Sequence, residues 1–181
     1  VTTTDYATYI AGLPRVLAGA AVICRDAAGR ILLVEPNYRD TWVLPGGTIE
    51  SDTGESPRQA ARREALEEIG LDVVPGPLLA VDWVRGAARP PVVSYLFDGG
   101  VLDAEQFAAI RVQEEELLSW RLVHWDEAET MLAEDLRLRV RGALDALEDG
   151  RGPVELEDGL PPAGRAATGG AMGGPRDAAE S

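Results

Sequence analysis

The sequence predicts an α/β sandwich in which mixed strands are layered with helices. Three observations carry this expectation. Apolar segments within 16–24, 31–34, 73–84, 92–97 and 117–123 have the length and composition of strands. A helix with signals at both ends follows a Gly46-Gly47 pair. A second amphipathic stretch, 133–147, puts Leu136, Val140, Leu144 and Leu147 on one side.

Taken in order, residues 1–15 form an N-terminal extension whose Tyr6, Tyr9, Ile10 and Leu13-Pro14-Arg15 are expected to pack on the domain. The runs 16–24 and 31–34, split by Asp26-Ala27-Ala28-Gly29, read as a hairpin. Trp42-Val43-Leu44 reads as a short strand entering a turn at Gly46-Gly47. Ser56 is a good N-cap, Pro57 suits the first helical position, and Gln59 completes a capping box with Ser56. Gly70 is a C-terminal stop, so end signals alone place a helix over 57–69. Within it Ala61, Ala65 and Ile69, with Leu66 beside them, make a narrow apolar stripe that packs inward. Residues 85–91 read as a loop, 103–110 as a short helix, and Trp125-Asp126-Glu127 as the start of another. From Asp149 the chain turns to Gly, Pro and Ala. The expected organisation is therefore one domain over 16–149 and a disordered tail over 150–181, ordered at most weakly near 154–160.

Composition narrows the chemistry. A formal charge of −14 argues against a nucleic-acid polymer held on a basic surface. Small phosphorylated substrates stay open, because local arginines and bound cations override net charge. The chain has no lysine, which removes P-loop and Schiff-base chemistry. One cysteine (Cys24, in an apolar run) and one histidine (His124) exclude a Cys/His zinc site, and no nucleophile motif accompanies His124. An oxygen-ligated hard cation fits the carboxylate supply. With no leader peptide pattern and no long apolar span, the expectation is a cytoplasmic protein without membrane partners.

The most informative segment is Arg63-Glu64-Ala65-Leu66-Glu67-Glu68-Ile69. On a helix, Glu64, Glu67 and Glu68 stand at i, i+3 and i+4, so their carboxylates share a face and repel by a few tenths of a kcal/mol per pair. Such a cluster is either spread into solvent or filled by a cation. The run from Gly47 to Leu71 resembles the Nudix box: a glycine, a glutamate (Glu55), then Arg63-Glu64-Ala65-Leu66-Glu67-Glu68-Ile69-Gly70-Leu71. It departs from that pattern at Ser51-Asp52-Thr53, where two extra residues precede Glu55.

This resemblance implies a Nudix-like α-β-α sandwich around a mixed β-sheet. It also implies a Nudix pyrophosphohydrolase, cleaving a diphosphate linkage in a nucleoside diphosphate-X type substrate with Mg²⁺ or Mn²⁺. A non-catalytic Nudix-fold ligand sensor or interaction domain is the alternative. Glu64, Glu67 and Glu68 are the implied metal ligands, with the Gly46 carbonyl as a further candidate, and Glu64 and Arg63 are the implied catalytic pair. Arg63 would pair with Glu55 and orient the helix glutamates. Glu116, then Glu115, are candidates for general base within Glu114-Glu115-Glu116, a cluster that reads equally as a solvated turn. Arg39, Trp42, Trp83, Arg85 and Arg89 are candidates for substrate contact, with core or rim packing the competing reading for both tryptophans. The expected partner is a small phosphorylated molecule. A homodimer is compatible with the sequence.

Overall fold

Strand β1 (Leu17–Arg25) is apolar on both sides, and this places it in the middle of the sheet. Ala20, Val22 and Cys24 face one hydrophobic cluster, while Ile23 faces another. The computed structural model describes residues 3–86 and 89–163. The sheet order is β6 (Leu117–Val123), β2 (Ile31–Pro36), β1, β5 (Val92–Val101), β4 (Leu78–Val84) and β7 (Val154–Glu157). Strand β3 (Gly46–Thr48) pairs with the first half of β1, and β2 pairs with its end. The β1–β5 and β4–β7 pairs are parallel and the others antiparallel, so the sheet is mixed, as expected.

Helices cover both faces. Helix α2 (Pro57–Ile69) and Phe107 of α3 (Ala104–Ala109) close one cluster with Val22, Leu32, Val34 and Phe97. On the opposite face α4 (Trp125–Met131) and α5 (Glu134–Glu148) close the other with Ile31, Leu33, Ala80 and Leu96. The α5 stripe is as read from sequence: Val140 and Leu144 are buried, and Leu136 and Leu147 pack at its margin. Cys24 is fully buried in the first cluster, its Sγ facing the Gly99 carbonyl. Burial, reinforced by Asp98, pushes its thiol up to about 12, so it is a packing residue and not a nucleophile.

Four expectations need correction. First, the N-terminal extension forms a helix, α1 (Thr3–Ala11), yet every residue from Asp5 to Leu17 is exposed. Second, Trp42 and Val43 form isolated bridges only, and the strand begins at Gly46. A pair of glycines read as a turn is here extended backbone against β1. Third, Leu66 is exposed while Ala60 and Glu68 join the buried stripe. The helix sits rotated toward Glu68 because the residues beneath it are small.

Fourth, the compositional boundary at residue 149 falls too early. Val154–Glu157 adds a parallel strand to β4, with Leu156 buried against α5. This strand is anchored by a buried polar group that no local pattern announces. Asp82 of β4 is fully buried and accepts hydrogen bonds from Arg139 Nε at 2.7 Å and Gly159 N–H at 3.1 Å. Gly159 has φ +79°, and a Cβ there would stand 2.6 Å from Cβ of Leu138, so the turn after β7 fits on α5 only as glycine. The rest of the tail reading, 164–181, lies outside the described residues.

Replacing Asp82 by Ala strands the Arg139 guanidinium in the core. Chemical denaturation should show a loss of about 3–5 kcal/mol relative to wild type, the usual cost of breaking a buried pair.

Candidate active site

Helix α2 begins as the sequence requires: the Ser56 hydroxyl accepts from Gln59 N–H, and the Gln59 amide returns the bond to Ser56 N–H. Gly70 ends it in the left-handed conformation at φ +71°. These caps fix the register that puts Glu64, Glu67 and Glu68 on the side facing β3.

Strand β3 lies against β1 with Gly46 opposite Ala21, Gly47 opposite Ala20 and Thr48 opposite Gly19. The two glycines serve close approach. A Cβ on Gly47 would stand 2.5 Å from the Glu64 carboxyl carbon, and one on Gly46, at φ +151°, would stand 2.4 Å from the Ala20 carbonyl oxygen. Glu64 therefore rests its carboxylate directly on the β3 backbone. Glu68 reaches the same strand, accepting the Gly46 N–H at 2.7 Å.

Arg63 organises the rest. Its Nε and Nη2 donate to the two oxygens of Glu55 at 2.8 and 3.1 Å, and Nη2 donates also to the Thr48 carbonyl at 3.0 Å. Nη1 donates to Glu64 and Glu67, each at 2.9 Å. All five N–H groups of the guanidinium are thus engaged. The two extra residues ahead of Glu55 disturb none of this. Ser51–Thr53 form one turn of 3₁₀ helix on the surface, closed by Gly54 at φ +81°, and Glu50 N–H still reaches Glu55 at 2.9 Å. The expected Arg63–Glu55 pairing is present.

Electrostatically the site is short of positive charge. Burial pushes the Glu68 carboxyl up to about 8, against the pull of the Gly46 N–H, and Glu64, Glu116 and Glu67 add to the shift. Burial also raises Glu64, with the Arg63 charge opposing. Glu55 moves the other way, held below the usual carboxylate range by its bonds from Arg63. Among the described residues no three acidic, His or Cys side chains converge as a formed metal cluster: Glu64 and Glu67 turn onto Arg63, and Glu68 onto Gly46. The donor set nevertheless fits a hard cation. It is all oxygen, it holds two half-buried or buried carboxylates that resist ionising beside one another, and Glu67 is exposed and able to swing.

Glu116 stands near enough to Glu64 and Glu68 to repel both. Its loop is tied to the end of α2 by Arg111 N–H to the Ile69 carbonyl and Gln113 N–H to the Glu68 carbonyl, and to the residue just after β2 by Asn37 N–H to the Glu116 carbonyl. Glu115 shares the loop, where its carbonyl accepts from the Asn37 side chain.

The candidates for substrate contact scatter. Trp83 lies on the same sheet face as α2, in one row with Val93 and Ala18, and is 40% exposed. Trp42 packs into the opposite cluster, with the Arg121 guanidinium 5.9 Å from its ring centre and its backbone N–H donating to the Met131 carbonyl. Arg85 ties β4 to β7 through Glu157 and Asp158. Arg89 bonds the Pro90 carbonyl on an exposed loop. Arg39 lies over Tyr38 at 5.0 Å, lining a polar cleft with Glu35, Asn37, Asp40 and Leu118. The sequence reading missed Tyr95. It stands in one row with Ala20 and Gly47, half-buried, and so extends an apolar shelf from the strand under Glu64. Only strand register, which no single segment encodes, reveals it.

A family model described as the NUDIX domain matches residues 15–146. This chain belongs to the NUDIX family. A MutT-like protein of Streptomyces ambofaciens is 36% identical over 154 residues, 80% of this chain and 86% of that protein. Among solved structures, a MutT protein of Methanosarcina mazei Go1 superposes with a TM-score of 0.61 at 22% identity, covering 76% of this chain and 96% of that one. The NUDIX domain of NrtR from Shewanella oneidensis, crystallised with ADP ribose, gives 0.64 at 19% identity, covering 81% and 99%. The two structural likenesses concern the fold. The NUDIX chain is a pyrophosphohydrolase, the enzyme class its box implies. Nudix hydrolases generally use divalent metals and act on small phosphorylated substrates. No helix among the described residues is long and apolar enough to cross a membrane.

If Arg63 orients the NUDIX glutamates, Lys cannot replace it, since an ammonium offers three donors where five are used. Arg63→Lys should fold normally by circular dichroism and lose about 10–100-fold in kcat/KM, the usual range for a group that positions metal ligands.

Proposed function

We propose that this protein hydrolyses a diphosphate linkage in a nucleoside diphosphate-X type substrate, using Mg²⁺ or Mn²⁺. One observation carries the reading: three carboxylates, those of Glu55, Glu64 and Glu67, meet a single guanidinium, and a fourth, Glu68, is buried beside them on the Gly46 N–H. A solvated acidic face has no reason to bury a carboxylate this way, and a pure binding module has no need of the whole set. The residues that would hold the cation are Glu64, Glu67, Glu68 and the Gly46 carbonyl. A bound divalent cation neutralises phosphate oxygens and acidifies a coordinated water.

The protein's own groups do the rest. Arg63, saturated by its five bonds, keeps Glu64 and Glu67 aimed at one place. Gly47 lets the Glu64 carboxylate approach the backbone without a side chain between. Glu116, on a loop braced against the end of α2, is the proposed base that takes a proton from the attacking water, with Glu115 second. Trp83 and Tyr95 offer the flat surface on which a base or sugar of the substrate would lie. The positions of Trp42 and Arg85 favour structural roles, and Arg39 and Arg89 remain proposals for the phosphate end of a larger substrate.

The decisive test is a release assay across nucleoside triphosphates (oxidised ones included), ADP-ribose, NADH, sugar nucleotides and dinucleoside polyphosphates, with each cation in turn. At least one class should be cleaved, and Glu64→Gln and Glu68→Gln should each lower that rate by about 10²-fold or more. Release from no class, in protein whose melting temperature still rises with a ligand, would move the reading to a sensor domain.

Glu116→Gln and Glu115→Gln separate the two base candidates. We expect about 10²–10⁴-fold loss of kcat for the first and near-normal rates for the second. Equal, small effects would return the cluster to a solvated turn.

A further inference from the structure

Strand β7 ends at Glu157, yet the chain keeps hold of β4 for two residues more. Asp158 donates its N–H to the Trp83 carbonyl at 3.1 Å and accepts the Arg85 N–H on Oδ1 at 2.8 Å. Gly159 donates to the buried Asp82 carboxylate at 3.1 Å. Asp82, Trp83 and Arg85 are thus all fixed from outside their own strand by one two-residue turn. Bonds to residues 83 and 85 repeat the spacing of a parallel ladder, except that a side-chain oxygen stands where the next carbonyl would be. The chain reverses there, Glu157 and Leu160 exchanging backbone hydrogen bonds, and the carboxylate finishes the ladder in place of main chain. Among the described residues Asp158 is the one non-glycine with positive φ, +52°. That conformation is unfavourable for an L-residue and persists where its surroundings over-determine it, often at ligand sites. We propose that Asp158 is a positioning residue for substrate: by fixing the end of β4 it sets the Trp83 ring as the wall on which a nucleobase stacks. This rests on the function proposed above.

The side chain held so closely is not a core residue. Trp83 is 40% exposed on the face that carries α2, while its neighbours Asp82 and Val84 are buried. An indole has only two side-chain torsions, so the position of its backbone largely decides where the ring stands. Three strand spacings, about 14 Å, separate Trp83 from Ile49, which follows the β3 residues on which Glu64 rests. The floor between is aliphatic: Ala18 and Val93 lie in the same row, and Tyr95 stands in the next. A nucleoside extending from a diphosphate held at Glu64 would cross this floor and meet the ring. Glu157 and Asp158, the carboxylates of the turn, are both paired with Arg85, which lessens their repulsion of a phosphorylated ligand.

Calorimetric titration of the full chain with the α,β-methylene analogue of ADP, which resists cleavage at that link, tests this with Mg²⁺ in excess. Stacking tolerates any base, so an adenine probe suits. We expect the wild type to bind, and Trp83→Ala to bind about 5–100-fold more weakly, the range for a lost base–aromatic stack. Asp158→Gly keeps the left-handed turn but drops the bond to Arg85. It should melt within a few degrees of wild type and bind about 3–10-fold more weakly, the scale of one lost hydrogen bond. Asp158→Asn, which keeps both turn and acceptor, should bind as wild type does. Added to Trp83→Ala, Asp158→Gly should weaken binding no further, because Asp158 acts through the ring. A wild type that does not bind overturns the proposal, whether residues 164–181 cover Trp83 or the face is simply unused. So does Asp158→Gly binding as tightly as wild type, or a double variant whose losses add. The release assay decides the hydrolytic reading separately. Cleavage with binding indifferent to Trp83→Ala keeps that reading and discards the wall, and binding through Trp83 without cleavage does the reverse.

Discussion

The guanidinium of Arg63 is the constraint on which the rest of the site depends. Its five bonds join three stretches of chain: the end of strand β3, the turn carrying Glu55, and helix α2. Each bond removes one freedom from a carboxylate that would otherwise turn to water. The pairing with Glu55 is also the strongest local compensation, since it lowers the Glu55 carboxyl and holds the arginine charged. Repulsion among Glu64, Glu67 and Glu68 is left only partly balanced. Under the proposed function, that remaining negative charge is what a divalent cation would meet.

Around this pairing the sheet acts as a precise spacer. Small residues on β1 and glycines on β3 bring α2 down until Glu64 touches backbone. Any side chain at Gly47 would push the carboxylate out, and any at Gly46 would collide with β1. The same closeness buries Glu68 and raises its carboxyl. Packing and electrostatics are therefore one arrangement here: the small residues that let the helix settle are those that make its acidic edge reluctant to ionise alone.

Much of this was legible in the sequence, for identifiable reasons. The span of α2 could be placed because Ser56, Pro57, Gln59 and Gly70 act locally, through bonds to residues a few positions away. The Arg63–Glu55 pairing followed from the family pattern. What escaped were features set by distant register. The burial of Glu68 was hidden because a helix read alone does not reveal how far it sinks into a sheet. Gly46-Gly47 looked like a turn because glycine signals conformational freedom without saying whether the freedom serves a bend or a contact. Trp42 and Trp83 looked alike on paper, yet they lie on opposite faces of the sheet, Trp42 from a bridged segment before β3 and Trp83 from within β4. Strand β7 was hidden by its Gly- and Pro-rich surroundings, and its partners lie far away in sequence, Asp82 standing 77 positions before Gly159.

The 3₁₀ turn at Ser51–Thr53 separates chain length from site geometry. Both of its ends are pinned, by the Glu50 N–H bond to Glu55 on one side and the left-handed Gly54 on the other, while its middle residues face solvent. Closing a slightly longer loop between fixed ends costs little entropy. The turn is thus a neutral port in the scaffold. Residues can be gained or lost there over evolutionary time, or a reporter grafted there by design, while the carboxylates a few ångströms beneath stay in place.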